Sequence, residues 1–493
     1  MATMRPVDLD DVDPGESDPS RLRQRRSRRW VALAAVAGLA AAGLIGGQLV
    51  LDARQRAYEV RFDGLPGAVW QLKDPAPRWT APGYDPRVNG ARVRDVIVAA
   101  SVQPDGEVIV SGHALRTGTP RWSTHLRVPR TVVDGFRRGE GDSFDRGVEC
   151  RTSARQGERD ARAVCVIGAE PVGAQRDGDR EALLVAVDAS GRVHVQRTVA
   201  DTYWAVRGTH VQLATMRRTG DQQEVDVVEQ TWDGDVVWSA DLGTMNAVDP
   251  AGDGIFYQDI TTDGTWTVVN TGTRAFVLDE HGTVVGDVPT DGTGAALVSG
   301  GALWLADYSG QTPGGRLVVP NAIGLTLPRV SSDAQPQPLR VTVDDGSAPD
   351  LVPVQVGSSL FGVDTRTGEP AWTTQLHGEA LETVLLDGVL FVAHGEQVTA
   401  LDAATGQQRW DAALPFAASS LTTDGQRLAA TSDALVLLDL RDGSVVSQQD
   451  AAELMPDQVA QQADSVAVYS RDGLLVLQTV IGGDLSDDLW VIS

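Results

Sequence analysis

The chain has 493 residues, more than a single core can bury, and it is 42% hydrophobic and 22% charged, the balance of a folded protein rather than a disordered one. Its formal charge of −25, with Lys73 the single lysine, repels phosphate backbones and argues against nucleic acid as a partner.

Residues 1–29 read as a disordered cytoplasmic tail: acidic and Pro-containing at first, then basic with Arg21, Arg23, Arg25, Arg26, Arg28 and Arg29. Residues 30–51 carry no charge, and Gln48 is the one strongly polar side chain among them. As a helix this stretch spans about 33 Å, enough for a hydrocarbon core. The arginines before it hold its start in the cytoplasm, so the rest of the chain is expected outside. The apolar run is long for a cleaved signal peptide, and Leu51-Asp52-Ala53-Arg54 makes a poor cleavage site. Ala34, Gly38, Ala42 and Gly46 share one helix face, a stripe that permits weak homodimerisation. A linker at 52–66 then leads into 67–493.

Beyond 67 the pattern changes to short runs of Val, Leu, Ala and Thr separated by Asp-Gly and Gly turns, the mark of an all-β array. The segment 381–412 shows it best. Strands are expected at 383–386, 389–393, 397–401 and 408–412, with turns at Asp387-Gly388, His394-Gly395 and 402–406. One turn recurs. Asp364, Thr367, Gly368 and Trp372 repeat 38 residues later as Asp402, Thr405, Gly406 and Trp410. Asp can bind amides two or three positions ahead, Gly accepts the positive φ of the corner, and Trp opens the outermost strand. Weaker copies place equivalent glycines at 118, 191, 234, 282 and 443, with Trp122 and Trp238 following two of them.

Most intervals fit one four-stranded unit, but 118 to 191 and 282 to 368 are longer and require insertions or a hidden unit. In the first, 147–152 and 162–168 form a hairpin carrying Cys150 and Cys165, which a disulfide would staple. The second, around 308–350, is rich in Pro and Gly and reads as a loop insertion. Strands at 465–469, 474–479 and 489–492 leave the last unit one strand short, and 68–72 with Trp70 is the candidate to complete it.

The turn resembles the A-x-D-x-x-T-G-x-x-x-W signature of pyrroloquinoline-quinone-type (PQQ-type) propeller repeats. The resemblance implies an all-β, eight-bladed β-propeller of four-stranded blades, with seven as the alternative, of the quinoprotein alcohol dehydrogenase-like superfamily. The preference for Arg over Lys, with much Ala, Val and Gly, resembles high-GC actinobacterial proteins. Alcohol-oxidising relatives pair adjacent cysteines beside the cofactor and hold calcium with acidic and amide groups. Cys150 and Cys165 are not adjacent, and Asp344-Asp345-Gly346 and Asp253-Gly254 do not complete a calcium loop. The histidines show no zinc spacing, and there is no nucleophile elbow or phosphate-binding loop. No catalytic residue, cofactor or metal is therefore assigned.

The expected role is a non-catalytic binding or scaffold module at the cell envelope. It would be anchored in the cell membrane by one helix and would meet an envelope protein, peptide or polysaccharide. Related repeats occur in an envelope lipoprotein that assists outer-membrane protein assembly. A PQQ-dependent oxidoreductase and a transmembrane signalling partner are the alternatives.

Overall fold

The computed structural model describes residues 65–492 except 66, 70–71, 73–74, 83–89, 104–106, 130–131, 133–147, 154–160, 169–180, 201–202, 247–257, 263–265, 290–295, 300–301, 308–313, 320–321, 327–335, 472 and 482–483. The expected tail, the membrane helix at 30–51 with its small-residue stripe, and most of the linker lie outside the described residues. So do Trp70 and Asp253-Gly254. Among the described residues no helix is long and apolar enough to cross a membrane.

The described strands form nine sheets, numbered here along the chain. Sheets 1 to 4 span 91–126, 148–200, 203–246 and 258–289, and sheets 5 to 8 span 296–326, 336–375, 380–413 and 420–450. Sheet 9 spans 465–492 and takes its fourth strand, Pro77–Pro82, from the start of the described chain. Within each sheet consecutive strands run antiparallel. Sheet 7 has a fifth strand, Val341–Asp344, laid parallel along the free edge of its first strand, Ala380–Leu386.

The expected strands between 381 and 412 are found at Ala380–Leu386, Val389–His394, Gln397–Asp402 and Gln408–Ala413. Two expectations change. The interval 282 to 368 is not an insertion: it holds all of sheet 5, so nine sheets stand where eight units were expected. The strand that completes sheet 9 is Pro77–Pro82, paired with Asp484–Ile492, and not 68–72. Its Pro77-Arg78-Trp79 repeats Pro120-Arg121-Trp122 of sheet 1, so it has the outer-strand sequence that 68–72 lacks.

The burial patterns explain the order of strands. The middle strands of most described sheets are buried on both faces, as in Val389–His394, buried at every position, whereas the third strands of sheets 1 and 3 alternate. Outer strands alternate, as in Gln408–Ala413, where Trp410 and Ala412 are buried between exposed neighbours. The core is accordingly a series of layers between successive sheets. Val98 and Val110 of sheet 1 meet Cys165 and Val185 of sheet 2. Leu184 of sheet 2 meets Trp204 and Leu213 of sheet 3. Leu437 of sheet 8 meets Val468 and Leu477 of sheet 9. The series returns on itself, because Val476 and Val491 of sheet 9 pack with Ile97 and Leu115 of sheet 1. Cys150 and Cys165 sit directly opposite each other on the first two strands of sheet 2 and form the expected disulfide.

Candidate functional site

The signature residues build the joints between sheets. In the turn of sheet 6 the Asp364 carboxylate accepts the Arg366 amide at 2.8 Å, and the Gly368 amide donates to the Asp364 carbonyl at 2.7 Å. The Arg366 guanidinium and amide hold this carboxyl down at about 2. In sheet 7 Asp402 accepts from the Thr405 amide and hydroxyl at 3.1 and 3.0 Å. Arg409 and that hydroxyl lower its pKa as well. Thr367 and Thr405 then accept the amides of Glu369 and Gln407, which closes the corner. Gly368 and Gly406 have φ of +74° and +68°, where only glycine is at ease.

After the turn a bulge sets two residues, Pro370 and Ala371, ahead of Trp372, which pairs with Gly362 on the third strand. A Cβ at Gly362 would overlap the indole. The ring reaches past its own sheet to the signature glycine of the next, where a Cβ on Gly406 would lie 2.6 Å from it. Trp372 Nε1 donates to the Ala403 carbonyl at 2.9 Å, and Thr374 Oγ1 donates to the Gly406 carbonyl at 2.7 Å. The same device recurs: Trp122 covers Gly191 and donates to Ala189, and Trp410 covers Gly443 and donates to Leu440. Trp79, on the closing strand, covers Gly118 of sheet 1 and donates to Leu115 at 3.4 Å. Trp238 covers Gly282 with its Nε1 unmatched among the described residues, because Arg207 has taken the Glu280 carbonyl. Sheet 2 has Val195 at the Trp position, and there Arg197 reaches Gly234 and donates to Gln230 instead.

A second set of polar residues lies on the first strands, at the inner rim. Thr152 of sheet 2 donates to the Arg92 carbonyl of sheet 1 at 2.8 Å. Arg151 binds Glu149 at 2.7 Å, donates to the Trp204 carbonyl of sheet 3 at 2.9 Å and lies 4.7 Å above the Trp204 ring. Burial raises the pKa of Asp259 on sheet 4, with the Arg151 charge opposing. Burial also raises Glu382, whose carboxylate accepts the Leu421 amide of sheet 8 at 2.8 Å. Thr342 donates to Thr383 and Leu421 at 3.0 and 2.7 Å, tying sheets 7 and 8 together. Asp344 and Asp345 close their own turn through the amides of Gly346 and Ser347. Asp345 also accepts the Asp387 amide.

The described residues around 68–72, the stretch expected to complete the last sheet, dock on this rim instead. Val69 donates to the Thr423 carbonyl at 2.9 Å, on the free edge of the first strand of sheet 8. Thr422 donates to the Gly67 carbonyl at 2.8 Å, and the Leu72 amide donates to Asp424 at 2.8 Å. Sequence reading missed this rim: its members recur at no fixed interval.

A closed series of four-stranded sheets, in which five outer-strand Trp residues (Trp79, Trp122, Trp238, Trp372 and Trp410) each lock one sheet to the next, is the architecture of a β-propeller. Residues 340–487, which hold the two full signature copies, match the PQQ_2 family, described as outer membrane protein assembly factor BamB, and carry the PQQ-type repeat. No curated protein matches the chain. Among solved structures, BamB from Moraxella catarrhalis is 15% identical at a TM-score of 0.37, covering 85% of this chain and 99% of its own. Apo AztD from Citrobacter koseri is 11% identical at 0.36, covering 81% and 98%. A europium-containing methanol dehydrogenase is 10% identical at 0.38, covering 86% and 94%. At these values the three structures bear on neither activity nor ligand.

The quinone and calcium that this repeat implies do not fit the described residues. The cysteines join two strands rather than neighbouring residues, and Asp344, Asp345 and Glu382 are occupied with backbone amides. No group of three or more metal-ligating side chains comes together among the described residues.

Proposed function

We propose that this chain is a membrane-tethered, extracytoplasmic scaffold whose nine sheets act as nine propeller blades and which binds a protein partner at the cell envelope. The observation that carries this reading is the use of the polar inner rim. Arg151, Thr152, Thr342 and Glu382 each bond across to a neighbouring sheet, so the rim is committed to rigidity. What a rigid frame offers a partner is the turns at its two ends. The Cys150–Cys165 disulfide fits an oxidising compartment. The family matched by 340–487 is described as an assembly factor, a role played through other proteins.

The test is photo-crosslinking in intact cells from single positions at both ends of the full-length protein. The expected result is a discrete adduct with an extracytoplasmic protein from a contiguous set of positions. Adducts with cytoplasmic proteins alone, or none from either end, refute the proposal.

A further inference from the structure

The ring is closed on its outside by Pro77–Pro82, the fourth strand of sheet 9. The residues before that strand make a second set of contacts on the inside, spread over sheets 7, 8, 9 and 1. Sheet 8 holds them most firmly. Arg427 Nη1 donates to the Leu72 carbonyl at 2.8 Å, beside the bonds that Thr422, Thr423 and Asp424 make to Gly67, Val69 and Leu72. Leu72 is fully buried and Val69 nearly so, in the apolar layer where Leu437 of sheet 8 meets Val468 and Ile492 of sheet 9. Ala68 carries the link to sheet 1, since its carbonyl accepts from Arg92 Nη1 at 2.6 Å. That bond lies against Gly473, in the first turn of sheet 9. The turn has φ of +80°, which favours glycine, and a Cβ there would lie 2.5 Å from the Arg92 nitrogen and 2.7 Å from the Ala68 oxygen. Gly67 rests against the backbone of Thr342, on the strand added to sheet 7, so closely that a Cβ would overlap its carbonyl.

We infer that the residues from Leu65 to Leu72 are an inner clasp that keeps the ring shut at the junction of sheets 9 and 1, acting in parallel with the outer strand. Among the described residues sheets 9 and 1 share no strand pairing. What spans their junction is the apolar layer of Ile97, Leu115, Val476 and Val491, together with the Trp79 indole. A closing strand left loose on its N-terminal side frays from that side. Here both sides are held: the clasp precedes Pro77–Pro82 with four residues between them, and sheet 1 follows it. When the strand unpairs, both its ends stay on the ring, and re-pairing is an intramolecular step at high effective concentration. The clasp is built to last, because its bonds from Arg92 and Arg427 have a charged donor and are of the stronger kind. Cutting it at either end leaves the closing strand tethered on one side only.

The test is hydrogen exchange on the full-length protein, read at the amides of Pro77–Pro82 and of its partner Asp484–Ile492. Arg92→Met removes the bond to sheet 1, and Thr422→Val removes a bond to sheet 8 at nearly unchanged volume; both positions lie outside the closing strand. Exchange there should rise about tenfold in Arg92→Met, which loses a charged donor, and about threefold in Thr422→Val, which loses a neutral one. Arg92→Met should also speed the Val69 amide, which is bonded to sheet 8 although Arg92 belongs to sheet 1. The Val225 and Val227 amides of sheet 3 are the reference and should keep their rates. Unaltered exchange of the closing strand in both variants overturns the clasp and leaves the segment a covering of sheet 8. An equal rise in sheet 3 overturns it as well, because the bonds would then serve the whole ring and not its junction. Thr422→Val, the milder change, decides the matter if Arg92→Met does not fold.

Discussion

If the signature Trp and Gly are two halves of one joint, mutating both should cost less than the sum of mutating each. Trp372 is 7% exposed, and its replacement by alanine should cost about 3–5 kcal/mol, the usual range for a buried aromatic. Gly406→Ala carries two penalties. At φ +68° an alanine costs about 1–2 kcal/mol for the backbone alone. Its methyl, 2.6 Å from the indole, must also push the ring off its seat and break the Nε1 bond to Ala403. The overlap and the lost bond bring the total to about 3–4 kcal/mol. In a Trp372→Ala background the second penalty has no object, and Gly406→Ala should cost the backbone term only. The expected coupling is therefore about 2 kcal/mol in favour of the double variant.

Gly388→Ala supplies the control. Its φ is +70° and nothing lies within 4 Å of its would-be Cβ, so it should cost about 1–2 kcal/mol whether or not Trp372 is present. Because repeat arrays need not unfold in one step, the readout is hydrogen exchange of amides in sheets 6 and 7 in mild urea rather than a global midpoint. Strict additivity of Trp372→Ala and Gly406→Ala would show that the glycine answers to its turn alone and would refute the joint.

Trp79→Ala should open the ring where its ends meet, with exchange protection falling first in sheets 9 and 1; loss spread evenly over all sheets would contradict the closure by Pro77–Pro82. Reduction of the Cys150–Cys165 bond should lower stability by about 3 kcal/mol, seen as a lower urea midpoint for sheet 2 amides, and the Cys150→Ser, Cys165→Ser variant should lose all sensitivity to reductant. Stability should peak in mild acid. Asp259 and Glu382 have raised pKa values, so the folded state takes up their protons first and gains stability as pH falls from neutral. Asp364 and Asp402 are lowered, so their contribution is complete above the ordinary carboxylate range and fades as pH falls below it, for Asp364 toward about 2. In thermal melts across pH, Asp259→Asn should flatten the rise from neutral and Asp364→Asn should soften the acid fall. A profile unmoved by either would remove these groups from the account.

The sequence made the strands, the signature turns and the disulfide readable because each is local: a turn needs its Asp, Thr and Gly within five residues, and a cross-strand disulfide needs one hairpin. The inner rim was not readable. Thr342, Leu421 and Gly67 come together only after sheets 7 and 8 and the entering segment are in place, and nothing in their spacing announces it. The ninth sheet was missed for a more instructive reason. A signature Gly is shaped by the Trp of the sheet before it, so where one half is absent the other has less to preserve it. Sheet 4 has Gly286 at the Trp position, and the sequence between Gly314–Val319 and Ala322–Thr326 of sheet 5 contains no Gly. Sheet 8 has Ser447 at that position, and sheet 9 has no third-to-fourth turn at all, since its fourth strand arrives from the other end of the chain. Gly234 and Gly368 persist without a Trp on the outer strand before them, and Arg197 has moved in to cover the first. The repeat is therefore better read across the joint, from each Trp to the glycine of the following sheet, than as a motif within one blade. Read that way, a sheet without a signature is expected beside a sheet without a tryptophan.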